Sequence, residues 1–198
     1  GWQDVPFRDE LQRLLGVPVL AEAETRAIAF AEQCWGAGRG VRDFVLIELD
    51  TGIGMVQVLD GRPCRGRHSL AGELGFTRWT VGDEPTTGSP AACTLEDLAS
   101  LRVLCRQAGR QPSSRTSRRP AQALAVPDVD RRLRALLAAA ARGDVHAVRL
   151  FDAALSALAL AVANVITVLD PELVLLCGRL VSGAGNALLD PLRQRVQA

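Results

Sequence analysis

Phe44-Val45-Leu46-Ile47-Glu48-Leu49-Asp50-Thr51-Gly52-Ile53-Gly54-Met55-Val56-Gln57-Val58-Leu59-Asp60-Gly61 is the stretch whose reading settles the architecture. Residues 44–49 are apolar and include β-branched side chains, the pattern of a buried strand. Asp50 to Gly54 predicts a tight glycine turn, and 55–59 a second strand. Asp60-Gly61 is a type I′ turn pair that sends the chain back again. Gly66-Arg67-His68-Ser69-Leu70-Ala71-Gly72-Glu73-Leu74-Gly75-Phe76 follows. Its glycines allow a backbone to approach a ligand closely, and it carries one acidic side chain, Glu73.

On the amino-terminal side, 9–15 reads as a short helix with Leu11, Leu14 and Leu15 on one face. Gly16-Val17-Pro18-Val19-Leu20 predicts a short strand, and 27–35 an alanine-rich helix that Gly36 to Gly40 end with a left-handed cap. On the carboxyl-terminal side, 82–90 is rich in Gly, Pro, Thr and acid and reads as a loop. Residues 94–107 read as a helix with Thr94 as N-cap and Asp97 three residues on. Residues 109–120 are basic and of low complexity, so 109–127 is expected to be a flexible loop. Arg115, Arg118 and Arg119 there are either phosphate binders or a solvated loop, and no aromatic lies among them to stack on bases. Further helices are expected at 128–142, capped by Asp128, at 145–169, apolar over much of its circumference, and at 187–196. Leu173 to Leu176 reads as a core strand.

The 198 residues suit one domain, or one and part of another, and 48% are hydrophobic, enough for a sizeable core. A net charge of +1 argues against nucleic-acid binding by bulk charge. No uninterrupted run of eighteen apolar residues occurs, so no membrane span is expected, and the start has no signal-peptide pattern. Five cysteines without a CxxC pair fit a reducing cytoplasm better than a disulfide scaffold. The single methionine is Met55, which points to a fragment of a longer protein.

The central stretch resembles the ROK family of sugar-responsive repressors and sugar kinases. That family writes it as strand, Gly-Thr-Gly-Ile-Gly-x-Gly, strand, Asp-Gly, then His-x-x-x-Gly-Glu-x-Gly-His. Here it stands as Asp50-Thr51-Gly52-Ile53-Gly54-Met55-Val56, Asp60-Gly61, His68 and Gly72-Glu73-Leu74-Gly75-Phe76. The resemblance runs in order along the whole chain. It implies an α/β actin-like ATPase (ribonuclease H-like) fold, mostly its second subdomain and truncated at both ends. Residues 1–40 would close the first subdomain and 41–198 form the second.

The same resemblance assigns the chemistry, and the departures from it shape the functional reading. The family's catalytic base is the aspartate of Glu-Asn-Asp. The matching residue is Glu24, read either as that base or as a surface glutamate at a helix start. Ala23 replaces the asparagine. Glu73 and Glu96 match two sugar-binding carboxylates; the alternatives are a structural hydrogen bond for Glu73 and a solvated helix face for Glu96. His68 is left outside the site. Thr51, Gly52, Gly54 and Gly178 are the remnant of the nucleotide loops, where backbone amides would form an anion nest. Asp50, Val56 and Arg179 replace nucleotide-side glycines. A carboxylate about 5 Å from a like charge at an effective dielectric near 20 repels it by roughly 3 kcal/mol, so ATP binding is not expected. The family's zinc needs four ligands, whereas Phe76, Thr86 and Gly88 stand beside Cys93, so no metal and no cofactor are expected.

These departures imply a ligand-sensing, homodimerising effector domain of a ROK-type transcriptional regulator, without kinase activity. Its partners would be a sugar or sugar phosphate, and DNA only through a domain outside this chain. The alternative is a ROK sugar kinase with an altered active site. A third reading is a dimer scaffold that has lost its ligand.

Overall fold

A computed structural model describes residues 5–80, 92–108 and 126–197. Its helices are α1 (Phe7–Leu15), α2 (Glu24–Trp35), α3 (Leu95–Ala99), α4 (Leu101–Ala108), α5 (Val126–Ala141), α6 (Val145–Leu169), α7 (Arg179–Ala184) and α8 (Asn186–Gln197). Its strands are β1 (Phe44–Leu49), β2 (Ile53–Leu59), β3 (Arg62–Pro63), β4 (Arg78–Thr80), β5 (Ala92–Thr94) and β6 (Leu173–Cys177).

The main sheet runs β3-β2-β1-β6, with β4 and β5 forming a separate ribbon. β1 pairs antiparallel with β2, Leu46 opposite Val56, and parallel with β6, Phe44 opposite Leu173. β1 is buried on both faces, as a near-continuous apolar strand must be. Its odd residues Val45, Ile47 and Leu49 enter the larger core, shared with α3 to α8. Its even residues Phe44 and Leu46 meet Val56, Val58 and Ala29 of α2 in a smaller one. One six-residue strand thus anchors two helical layers. The expected Asp60-Gly61 turn is present, with φ of 50° and 74° at the two residues.

α6 is a 25-residue helix, by length and composition apolar enough to cross a membrane. The sequence rule of an unbroken apolar run missed this, because mean hydropathy tolerates Ser156, Asn164 and Thr167. In the fold it is a core helix: Leu155, Leu158, Ala161, Val162 and Val165 are buried against its neighbours, including α3, α5 and α8. Asp144 caps it, accepting the Ala147 N–H at 2.8 Å.

Several boundaries differ from expectation, each for a local reason. Residues 17–20 form no strand: Val17 and Leu20 are exposed, no neighbouring strand pairs with them among the described residues, and Pro18 has no N–H to give. α2 begins at Glu24, three residues early. Gly36, its C-cap, is extended (φ −105°) rather than left-handed. Glycine is needed there for room: an added Cβ would lie 2.0 Å from Glu32 Oε2, which accepts the Ala37 N–H. The expected 94–107 helix breaks at Ser100, an extended residue whose Oγ accepts the Val103 N–H. Upstream of the break, Thr94 and Asp97 form the anticipated reciprocal cap. α5 starts at Val126, so Asp128 lies in its first turn, paired with Arg131 at 2.6 Å, instead of capping it. The loops expected at 82–90 and 109–120, with Arg115, Arg118 and Arg119, lie outside the described residues.

Candidate functional site

The two parallel strands end side by side. Beyond β1 the chain passes through Asp50 into the glycine turn, and beyond β6 through Gly178 into α7. Across from them stands the start of α2. These elements and the 71–73 segment enclose a cleft of about 570 Å³, lined among others by Glu24, Glu48, Asp50, Glu73, Glu96 and Arg179.

Six of the seven residues singled out from sequence meet there: Glu24, Thr51, Gly52, Gly54, Glu73 and Glu96. Gly178 does not line the cleft. It lies beneath it with φ +97°, and an added Cβ would stand 2.4 Å from the Leu49 carbonyl oxygen. His68 is exposed and stays outside. Glu24 is the first residue of α2 and faces the cleft, with no hydrogen bond or ion pair to its carboxylate among the described residues. Glu73 is likewise without a side-chain partner among them, which removes the structural hydrogen bond offered as its alternative role. Glu96 lines the cleft and is not a solvated helix residue. Its Oε1 accepts the Ile53 N–H at 3.0 Å, and Arg102 stands 3.5 Å from its Oε2.

The repulsion expected from Asp50 is corrected by a partner far along the chain. Arg179 Nη2 lies 2.5 Å from Asp50 Oδ1, Nε is 3.0 Å from both oxygens, and the Arg179 backbone N–H donates to Oδ2 at 3.0 Å. Burial alone would raise the Asp50 pKa, but these bonds and the Thr51 N–H hold it below the ordinary value, so the carboxylate stays ionised. Two departures from the family pattern are therefore one neutralised pair. The anion nest is corrected too. The Thr51 N–H donates to Asp50 Oδ1 at 2.6 Å and the Ile53 N–H to Glu96, so the chain's own carboxylates hold both amides.

Sequence reasoning missed three further contacts at or beside the cleft. Thr25 Oγ donates to Glu48 Oε2 at 2.6 Å, tying α2 to β1 beside the cleft; Gly54 leaves room for it, since a Cβ there would sit 2.8 Å from that oxygen. Glu22 binds Arg26 at 2.7 Å and also pairs with Arg65. The Arg26 hydrogen bond and the Ala23 N–H bring the Glu22 pKa down to about 2. The i, i+4 spacing of Glu22 and Arg26 was a readable signal; the other contacts join residues too distant for any local pattern.

By residue type at the matching positions, the family's zinc is not expected in this chain. Cys93 Sγ is directed to the Trp79 carbonyl at 3.5 Å, Phe76 is 61% exposed, and positions 86 and 88 lie outside the described residues. No group of three His, Cys, Asp or Glu suited to a metal occurs among the described residues. Elemental analysis of the purified protein should find far less than one zinc per chain; a stoichiometric zinc would refute this reading.

The mixed α/β sheet, with its cleft at the carboxyl ends of adjacent parallel strands and a helix start facing it, is that of an actin-like ATPase fold. The chain belongs to the ROK family, whose profile matches residues 1–198. It is 31% identical over 204 residues to a glucokinase of Halalkalibacterium halodurans, covering 100% of this chain and 59% of that protein. It superposes with a TM-score of 0.72 on a Streptomyces griseus ROK glucokinase solved with glucose and AMPPNP, at 27% identity, covering 98% of this chain and 62% of the other. It also superposes with a TM-score of 0.68 on a ROK family transcriptional regulator described as a homologue of the E. coli MLC protein. There the identity is 29%, over 96% of this chain and 46% of that one. The chain thus spans about three fifths of the length of the glucokinase it matches.

Proposed function

We propose that this chain carries the sugar-binding cleft of a ROK protein and that the whole protein acts on or responds to a neutral hexose. The observation that carries this is the convergence of Glu24 and Glu73, both without side-chain partners among the described residues, on one cleft. Carboxylates in that state are acceptors for sugar hydroxyls. Among relatives the name glucokinase is commoner than that of repressor, which supports the sugar-kinase reading over the regulator reading favoured by sequence alone. In that reading Glu24 takes the proton of the attacking hydroxyl.

One observation favours the second reading, a sugar-responsive regulator without phosphoryl transfer. The Asp50–Arg179 pair and the carboxylate-held amides leave the glycine turn no free donors at Thr51 and Ile53 for a nucleotide phosphate. DNA binding would then belong to a part of the protein outside this chain, and a homodimer would suit a two-fold operator.

The test uses the full-length protein, with hexose binding by calorimetry and a coupled assay for sugar-dependent ATP consumption. The kinase reading expects turnover that Glu24→Gln lowers about 100-fold or more while hexose affinity changes little. Hexose binding without turnover would leave the regulator reading standing. No binding of any common hexose would refute the proposal.

A further inference from the structure

We propose that the Asp50 carboxylate is a built-in substitute for a ligand oxyanion, and that it keeps closed an anion site formed by the Thr51 amide and the Arg179 amide and guanidinium. This deepens the proposed function, since it concerns the same cleft and decides which ligands the cleft admits.

The donor geometry carries the inference. Donors converge on one carboxylate from the next residue, the Thr51 N–H, and from a residue 129 positions away, the Arg179 N–H, Nε and Nη2. An ordinary surface ion pair does not also recruit the backbone amide of its distant basic partner. A cradle for an oxyanion does, because planar guanidinium and converging N–H groups match its oxygens. The fit is also incomplete in an informative way. Arg179 Nη1 is buried and has no hydrogen-bond partner among the described residues. A buried donor without an acceptor costs free energy, and a carboxylate has only two oxygens, both already in use. The donor set is thus larger than the carboxylate that fills it.

The same device recurs two residues further along the turn, where Glu96 holds the Ile53 N–H. The cleft therefore presents carboxylates where a phosphorylated ligand would place its own anionic oxygens. It excludes phosphate-bearing ligands and selects neutral ones as long as the pair is closed. In the kinase reading the pair must open at every nucleotide-binding event; in the regulator reading it stays shut.

The experiment titrates inorganic pyrophosphate into the full-length protein, followed by calorimetry and by ³¹P NMR, with hexose binding measured alongside. Wild type should show no binding at millimolar pyrophosphate. Asp50→Gly, which removes the substitute and leaves the backbone bonds of residue 50 intact, should bind about tenfold more tightly or better. Adding Arg179→Ala to that variant should abolish the gain. Asp50→Asn keeps the side-chain volume and removes the charge, so it carries the test if the glycine variant does not fold. Wild type binding pyrophosphate as tightly as the Asp50 variants would overturn the proposal. So would folded Asp50→Gly and Asp50→Asn that both fail to bind, or a gain that survives loss of Arg179. Loss of hexose binding in wild type would count against the proposed function alone, because the pyrophosphate comparison does not depend on it.

Discussion

Gly178→Ala should cost the fold about 4 kcal/mol or more, a large share of the stability of a domain of this size. Gly178 has φ 97° and ψ 172°, a region that is essentially glycine-only and costs other residues about 1–3 kcal/mol. The methyl group would then stand 2.4 Å from the Leu49 carbonyl oxygen, 2.8 Å from its carbon and 3.0 Å from its nitrogen. Leu49 cannot yield, because it is buried and held opposite Ile53 at the end of β1. The chain after β6 would have to lift away, taking α7 and Arg179 with it. Urea unfolding followed by circular dichroism checks this. A loss under about 1 kcal/mol would show that the two strand ends are not locked together as described.

Gly72→Ala acts on the opposite wall of the cleft. Gly72 has φ +92°, and an added Cβ would lie 2.0 Å from the Met55 carbonyl oxygen and 2.9 Å from its carbon. The contact is mutual, since the Met55 N–H donates to the Gly72 carbonyl at 2.9 Å. The substitution should therefore detach the 66–76 segment from β2, at a cost of about 3 kcal/mol, and carry the Glu73 carboxylate out of the cleft. Leu74 belongs to the larger core and Met55 packs against it, so the variant should lose stability as well as the site, while β1, α6 and β6 keep the rest of that core together. Met55 is the only methionine of these 198 residues, and its ¹³C-labelled methyl resonance, assigned by substitution, reports from beside the cleft. That resonance should shift or broaden in the variant. An unchanged resonance together with an unchanged unfolding midpoint would refute the expectation.

How much of this was legible in the sequence depended on how local each signal was. β1, β2, the Asp60-Gly61 turn, α6 and β6 were readable because hydrophobic pattern and turn chemistry are written within a few residues. β4 and β5 escaped notice because each has three residues, too few for an alternating pattern. Within the 94–107 stretch, Ser100 was the overlooked cue, a residue type that starts helices placed inside an otherwise helical run. In the site, the carboxylates Glu24, Glu73 and Glu96 were found through resemblance, and they do meet in one cleft. Their electrostatics could not be read. Asp50 seen alone is a repulsive charge and Arg179 seen alone is bulk; only folding shows that each answers the other.

That mutual dependence constrains the history and the engineering of the chain. Either member of the pair, changed alone, strands its partner as a partly buried charge, which is far costlier than losing both together. Their effects on stability are accordingly non-additive. A lineage that acquired both residues cannot return to glycine at both positions by two harmless single steps, because every intermediate is destabilised. The pair works as a ratchet, and restoring glycines to this cleft would require changing positions 50 and 179 in one move.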